Sequence, residues 1–170
     1  CFDPSSAQEA YEMIQEAFEY SEKYGTPVFL RPTTRVCHGY ASIMVKDETE
    51  YTHHQPEGFI KDSKRWVIFP RLSFMNHKKI EARNQELSDI FSSYEKNTIH
   101  PSCDAFKDSK KGIATGGISY TYTMETLKKT GMVKTLKIAT PHPFPEKLAV
   151  DFLSGLDEVL CLEELDPVIE

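Results

Sequence analysis

The first part of the chain carries the pattern of an amphipathic helix. Ser5 and Ser6 can cap its start, and Gly25 is expected to end it. The face predicted to meet the core has apolar or small residues at helical spacing, namely Ala10, Ile14, Ala17, Phe18 and Ser21. The opposite face is expected to be solvated, rather than to bind cations, through Glu9, Glu12, Glu16, Glu19 and Glu22.

Short apolar runs farther along predict strands. Residues 28–30 form an apolar triplet suited to a strand covered on both faces, and residues 41–45 suit a second short strand. Residues 65–69 predict another strand, which Pro70 would stop, and a helix is expected from about residue 77 to 94. The stripe of this helix that should face the core is Ile80, Leu87, Ile90, Phe91 and Tyr94.

Strands and helices alternate in short steps after a polar connector at residues 97–111. The predicted strands are 111–115, 133–138 and 158–165, and the predicted helices are 119–129 and 146–153. This order argues for parallel strands joined by right-handed crossovers. The sequence therefore predicts an α/β fold with a mainly parallel sheet.

Composition and charge narrow the classes of function. Of the residues, 39% are hydrophobic and 11% aromatic, and the formal net charge is -6. Lys and Arg are scattered along the sequence, so neither nucleic acid nor an anionic membrane is an expected partner. No run approaches the roughly 20 apolar residues of a membrane span, and no signal-peptide pattern opens the chain. We therefore expect a cytoplasmic protein.

Cysteines and histidines do not predict a metal site. The four cysteines are widely separated and form no C-x-x-C pair, so reduced, unpaired thiols are expected. His53 and His54 lie together in the polar segment 46–64, but adjacent histidines point in different directions in a helix or strand. That segment is expected to be an exposed linker.

Polar residues that suit a binding site follow the predicted strand 28–30. They are Thr33, Thr34, Arg35 and His38, and open α/β sheets bind ligands at the carboxyl ends of their strands. Arginine matches a carboxylate or phosphate with two hydrogen bonds, threonine hydroxyls add donors, and histidine can give or take a proton. An anionic substrate would fit these groups. The alternative stays open that Arg35 pairs with an acidic neighbour and that His38 is an ordinary polar residue.

Two further motifs are weaker candidates for a functional site. Gly116 and Gly117 lie between a strand and a helix and could cradle a phosphate, but no glycine-rich nucleotide motif is present. A tight turn is favoured there. Glu163, Glu164 and Asp166 could act as paired carboxylates, but neighbouring residues of a strand face opposite sides. A capping or interface role is favoured for them.

Five segments carry a family resemblance, in this order along the chain: DPSSAQEAYEM, GTPVFLRPTTRVCHG, GIATGGISYTYTMETLK, PHPFPEKL and VLCLEELDPVIE. They resemble the large subunits of the indolepyruvate ferredoxin oxidoreductase family, which are thiamine diphosphate-dependent 2-oxoacid oxidoreductases. The resemblance implies that residues 1–45 close a pyrimidine-binding-like domain and that residues 46–110 form a linker with one helix. Residues 111–170 would form a transketolase C-terminal-like α/β domain.

The same resemblance implies an activity and its cofactors. The family decarboxylates aryl pyruvates oxidatively to acyl-coenzyme A and passes electrons to ferredoxin, using thiamine diphosphate, magnesium and iron–sulfur clusters together with a smaller beta subunit. The activating glutamate would precede Cys1, and the G-D-G motif and the cysteine-rich cluster segments would follow Glu170. We therefore expect an excised piece without catalytic residues, which binds neither cofactor nor cluster tightly and is inactive alone.

The resemblance also suggests a role for the candidate site. Thr33, Thr34, Arg35 and His38 would face the active-site cleft of the assembled enzyme. Arg35 would hold an anionic group of the 2-oxoacid or of coenzyme A, and His38 would orient or protonate nearby. Two other functions stay open, a non-catalytic α/β module that binds a partner subunit and a relative that acts on another 2-oxoacid.

Overall fold

The computed structural model describes residues 1–51, 53, 55–164 and 166–170. The helices in this part of the chain are α1 (Ala7–Tyr24), α2 (Thr34–Cys37), α3 (Ser63–Trp66), α4 (Pro70–Phe91), α5 (Gly117–Thr130) and α6 (Glu146–Leu153), with 3₁₀ turns at Glu48–Glu50 and Asp104–Phe106. The strands are β1 (Thr98–His100), β2 (Lys111–Gly116), β3 (Lys134–Ile138) and β4 (Glu158–Leu162).

The four strands form one mostly parallel sheet in the order β1-β3-β2-β4. Strand β2 pairs in parallel with both β3 and β4, and β1 pairs antiparallel with β3. Helix α6 covers one face, where Phe152 packs with Ala114 and Leu136. Helix α5 lies on the other face beside Ile113, because successive residues of a strand point to opposite sides. The predicted α/β class with a mainly parallel sheet is confirmed.

A second cluster of buried side chains joins the N-terminal segment to α1 and α4. Phe2 is 1% exposed and makes edge-on ring contacts with Tyr20 and Phe91. Met13 and Leu87 belong to the same cluster. Because Ala139, directly after β3, also packs there, this cluster fixes the start of the chain against the end of a central strand.

An ion pair between Glu9 and Lys137 fastens α1 to the sheet. The Lys137 side chain is 6% exposed, and the second carboxylate oxygen of Glu9 accepts hydrogen bonds from the backbone N–H and the hydroxyl of Ser5 at 2.8 and 2.7 Å. Burial acts to raise the pKa of Glu9, but Lys137 and Ser5 hold that pKa below its usual value. The prediction of a solvated glutamate face is therefore wrong for Glu9.

The ends of α1 are confirmed, whereas its buried face is rotated from the predicted one. Ser6 caps the helix by accepting the Glu9 N–H, and Gly25 ends it in the left-handed conformation. Met13 and Ala17 are the buried residues, and Ile14 and Phe18 are exposed by 40% and 69%. Ala17 is buried as predicted, but Met13 is buried instead of Ile14 and Phe18, because Met13 and Ala17 face the aromatic cluster around Phe2.

The three early strands were predicted wrongly. Residues 28–30 contribute only an isolated bridge between Leu30 and Phe2, and Phe29 is 70% exposed. Residues 41–45 form neither helix nor strand. Of residues 65–69, Arg65 and Trp66 lie in the short helix α3 and the other three follow it without pairing. An apolar run becomes a strand only when another strand hydrogen-bonds to it. The described residues supply only the single bridge from Phe2 at the first place and no paired strand at the other two.

Helix α4 and strand β1 also differ from expectation. The helix starts at Pro70 instead of residue 77, because proline fits the first helical turn, where its missing N–H costs no hydrogen bond. Its inner stripe is buried at Leu87 and Phe91, as predicted, but Ile80 is 40% exposed. The connector predicted at 97–111 contains β1, a three-residue antiparallel edge strand that the sequence pattern did not indicate.

The elements beyond residue 110 agree closely with the prediction. Strands β2 and β3 and helix α5 match within one or two residues, and α6 matches at both ends. Strand β4 ends at Leu162, and Leu165, which the prediction included, lies outside the described residues. In the described part of the chain, no helix has the length and apolar content needed to cross a membrane.

Candidate functional site

Four segments meet at the carboxyl ends of β2 and β4. Gly116 leads from β2 into α5, and Glu163 and Glu164 follow β4. The N-terminal segment reaches this edge because the Asp3 N–H donates to the Ala139 carbonyl at 2.8 Å. The segment after residue 30 joins it through Phe2, whose carbonyl accepts the Arg31 N–H at 2.8 Å.

A small cavity lies between these segments. Its volume is about 10 Å³, which is close to the room that one water molecule occupies. The residues that line it are Asp3, Arg31, Thr33, Gly116, Glu163, Glu164, Val168 and Ile169. The polar side chains of Asp3, Arg31, Thr33, Glu163 and Glu164 thus share its lining with the apolar residues Val168 and Ile169 of the C-terminal segment.

Asp3 is the buried acid of this site. Its side chain is 7% exposed, and Arg31 donates to Oδ2 across 3.3 Å. Burial raises the pKa of Asp3 to about 6, Arg31 acts to lower it, and the nearby carboxylates of Glu163 and Glu164 raise it further. A carboxyl with this pKa changes its protonation state close to physiological pH.

Three buried polar atoms around the cavity have no hydrogen-bond partner among the described residues. They are Asp3 Oδ1, Thr33 Oγ1 and Glu164 Oε2. A carboxylate oxygen accepts a hydrogen bond, and a threonine hydroxyl can donate or accept one. The three atoms together therefore suit a ligand of the size of water that both donates and accepts.

The two glycines allow the segments to approach this closely. A Cβ atom at Gly117, where φ is +49°, would lie 3.0 Å from Thr33 Cγ2 and 3.2 Å from Asp3 Oδ1. A Cβ atom at Gly116 would lie 2.6 Å from the Ile138 carbonyl oxygen. The Asp3 carboxylate thus lies beside the start of α5, and the Gly116–Gly117 pair joins β2 directly to α5 instead of forming a separate turn.

The residues predicted as a site lie beside this cavity, but only Thr33 lines it. Thr33 precedes α2, and Thr34, Arg35 and His38 are exposed on or just after that helix. Among the described residues, Arg35 forms no ion pair with a carboxylate. The alternative that Arg35 pairs with an acidic neighbour therefore does not hold within this part of the chain.

Asp3 and Arg31 were missed as members of the site. Arg31 stands in the strand-end segment that the sequence singled out, but Asp3 gives no local signal, because its burial depends on the Ala139 and Phe2 contacts. Glu163 has the capping role that was favoured, since its carboxylate accepts N–H bonds from Val168 and Ile169 at 2.8 and 2.9 Å.

The remaining sequence candidates show no metal centre. All four cysteines are free thiols. His53 is exposed, and His54 lies outside the described residues. Within the described ranges, no three His, Cys, Asp or Glu side chains are grouped so that they could hold a metal ion.

The chain is similar to subunits of one oxidoreductase. Indolepyruvate oxidoreductase subunit IorA of Pyrococcus abyssi is 37% identical to it over 173 residues, which cover 99% of the chain and 26% of that subunit. The IorA subunits of Methanothermobacter thermautotrophicus and Archaeoglobus fulgidus are 36% and 30% identical, with the same coverage. The chain spans about a quarter of the length of these curated relatives. No protein-family model and no solved structure matches it.

Proposed function

Because the chain belongs, as a segment, to the family of indolepyruvate oxidoreductase IorA subunits, we propose that it forms part of an enzyme that oxidatively decarboxylates aryl pyruvates, such as indolepyruvate, to acyl-coenzyme A. Ferredoxin is the electron acceptor in this proposal, and a smaller beta subunit is the partner. The observation that carries the proposal is similarity along 99% of the chain to subunits named for this oxidoreductase. We assign the enzyme to the cytoplasm.

The proposal includes a division into domains. Residues 1–45 close a pyrimidine-binding-like domain and residues 111–170 form a transketolase C-terminal-like domain. The linker at residues 46–110, predicted with one helix, contains α3, α4 and the strand β1, which pairs with β3 of the third range. The parallel strands β2, β3 and β4, which all lie in the third range, support this assignment. The long helix α4 lies within the second range.

Thiamine diphosphate, magnesium and the iron–sulfur clusters belong, in this proposal, to other parts of the full-length subunit. The N-terminal end of α5 does not fit a diphosphate, because the Asp3 carboxylate already lies there, 3.2 Å from the Cβ position of Gly117. A second anion at this place would be repelled by the first. We therefore propose no residue of this chain as a ligand of the cofactor.

Thr33, Thr34, Arg35 and His38 are proposed to border the cleft that receives the substrate. Their position next to the carboxyl ends of β2 and β4 supports this role, because the Thr33 methyl group lies close to Gly117. Arg35 is exposed and can offer its guanidinium to the carboxylate of a 2-oxoacid or to an anionic group of coenzyme A. His38 can orient the same group or give it a proton.

Replacing Arg35 by alanine in the full-length enzyme tests this role. We expect kcat/KM for indolepyruvate or coenzyme A to fall about tenfold or more, which corresponds to about 1.4 kcal/mol of lost transition-state stabilisation. Arg35→Lys should recover only part of the loss, because an ammonium group cannot form the paired hydrogen bonds of a guanidinium. Lys128→Ala removes an exposed charge on α5 and should leave the kinetics unchanged. Wild-type kinetics for Arg35→Ala would disprove the role.

The substrate class has its own test. We expect the full-length enzyme to turn over indolepyruvate and phenylpyruvate with a higher kcat/KM than pyruvate or 2-oxoglutarate. A preference for either non-aromatic acid would show a relative with another substrate, and it would leave the result for Arg35 intact. A folded full-length subunit that binds the beta subunit but oxidises none of the four acids would instead support a non-catalytic interaction module.

A further inference from the structure

A large open cleft lies between the end of α1 and the first half of α4, away from the carboxyl edge of the sheet. Its volume is about 1030 Å³. One wall is the end of α1 and the turn at Gly25, a second is α4, and the third is α3 with Trp66. None of the residues that line the small cavity near Asp3 lines this cleft, so the two places are separate.

Positive charge is concentrated in the cleft although the chain as a whole is acidic. Within the described residues none of the cleft's cations forms an ion pair with a carboxylate. Asp62 and Glu86 also line it, and Asp62 is engaged in accepting the Lys64 backbone N–H at 2.9 Å. The cations are Lys23, Lys64, Arg65, Lys79 and Arg83. The expectation that cations stay scattered is therefore wrong at this place.

Arg83 is the most enclosed of these cations. Its Nη1 donates to the Tyr24 carbonyl oxygen at 3.4 Å, and its Nε is buried without a partner among the described residues. A guanidinium has five N–H donors, so most of the capacity of Arg83 stays available after this single bond. Lys79 stands four residues before it on α4, which brings both side chains to one side of the helix. Such a pair suits a phosphate group, whose several oxygens accept hydrogen bonds from both.

An aromatic surface adjoins the cations. Trp66 is 49% exposed, the Arg65 guanidinium carbon lies 4.6 Å from the centre of its ring, and the Phe59 ring stacks on it with 6.3 Å between the ring centres. Leu72 and Ile80 add apolar surface from α4. A planar aromatic group can stack on an exposed indole, and cationic groups beside the ring hold a negative charge attached to that group.

From this combination we propose that the cleft binds a phosphorylated ligand that carries a planar aromatic ring, of the nucleoside diphosphate kind. The phosphates contact Lys79 and Arg83 on α4 and Lys64 on α3, and the ring stacks on Trp66. None of Thr33, Thr34, Arg35 and His38 lines this cleft, so the site is separate from the proposed substrate residues and its test does not depend on the oxidoreductase function.

Titration of the chain with ADP, followed by the fluorescence of Trp66, tests the site. Trp66 is the single tryptophan of the chain, so its quenching reports directly on stacking in the cleft. We expect ADP to bind with a submillimolar Kd and to quench the emission. Calorimetry should show weaker binding of inorganic pyrophosphate, which lacks the ring, and no binding of adenosine, which lacks the charge. Rising salt should weaken the binding of both anions.

Pairs of matched variants test whether ADP binds in this cleft. Lys64→Gln with Lys79→Gln changes two exposed side chains and should weaken ADP binding about tenfold or more. Lys128→Gln with Lys107→Gln removes the same charge from exposed positions outside the cleft and should leave ADP binding unchanged. Arg83→Lys keeps the charge and should bind ADP more weakly than the wild type. No ADP binding in the millimolar range, or an equal loss in the two double variants, would overturn the proposal.

Discussion

The carboxyl group of Asp3 has an unusual electrostatic environment. It is almost fully buried, pairs with Arg31 through one oxygen, and leaves the other oxygen without a partner among the described residues. Burial is the main reason why its pKa rises to about 6, and Arg31 reduces that rise. Loss of contact with water thus outweighs the attraction of one partly exposed counter-charge.

The raised pKa of Asp3 predicts the pH dependence of stability. Between the ordinary value of 3.8 and the folded value of about 6, the folded chain binds more protons than the unfolded chain, so its free energy of unfolding falls as pH rises. The loss should be on the order of 3 kcal/mol across this window. Urea unfolding at several pH values should show it in the wild type but not in Asp3→Asn.

A matched control isolates this effect. Asp108 is exposed, so Asp108→Asn should keep the pH profile of the wild type. The difference in unfolding free energy between the wild type and Asp3→Asn should favour the wild type most at pH 4 and shrink as pH increases toward 7. Profiles that run parallel for the two proteins would show that Asp3 does not titrate in this window.

At the scale of secondary-structure elements, the sequence predicted the helices more accurately than the strands. Helix α1 begins after the Ser6 cap and ends at Gly25, because caps and helical hydrogen bonds involve residues only a few positions apart. A strand needs a partner that the local pattern does not contain. Residues 65–69 have no partner strand: Arg65 and Trp66 lie in α3, and all five residues are exposed. Residues 98–100 form a strand because they pair with β3.

The close contact of Gly117, at the start of α5, with Thr33 and Asp3 predicts how much an alanine at this position destabilises the fold. Gly117→Ala and Gly25→Ala both place an alanine at a similar positive φ, +49° and +56°, but only Gly117 has atoms within 4 Å of the new Cβ. Each change should cost about 1 kcal/mol for the left-handed backbone. Gly117→Ala should lose about 1 to 2 kcal/mol more, because its Cβ meets Thr33 and Asp3.

The measurement is chemical unfolding of both variants beside the wild type. The pKa of Asp3 can be followed in the same proteins by NMR, and Gly117→Ala should shift it while Gly25→Ala should not. Equal losses of stability with an unchanged pKa would mean that the segments are not in contact at this point.

At the scale of the whole molecule, the sheet organises pieces that are far apart in sequence. Glu9 and Lys137 are separated by 128 positions and form the ion pair that fastens α1 to β3. Removing one partner of such a buried pair leaves an unpaired charge in a poorly solvated place. The fold therefore depends on contacts between its N-terminal and C-terminal parts.

The same architecture leads to a prediction for the isolated chain. Calorimetric titration with thiamine diphosphate and magnesium should detect no micromolar binding to the 170-residue chain, because the Asp3 carboxylate takes the N-terminal end of α5 and the family's cofactor motifs are expected in other parts of the subunit. The full-length subunit with its partner should bind under the same conditions. Micromolar binding to the chain alone would contradict the proposed division of roles.

The sequence by itself determined the caps of α1, the β-α-β-α-β order beyond residue 110, the α/β class and the family resemblance. These depend on neighbouring residues or on residue identity along the chain. It also proposed the segment Thr33–His38 as a site, of which Thr33 lines the small cavity. Only the tertiary structure decided that Asp3 is buried against α5, that Glu9 pairs with Lys137, and that scattered cations meet in one cleft. Burial and charge pairing depend on distance in space, which a local pattern of polar and apolar residues does not encode.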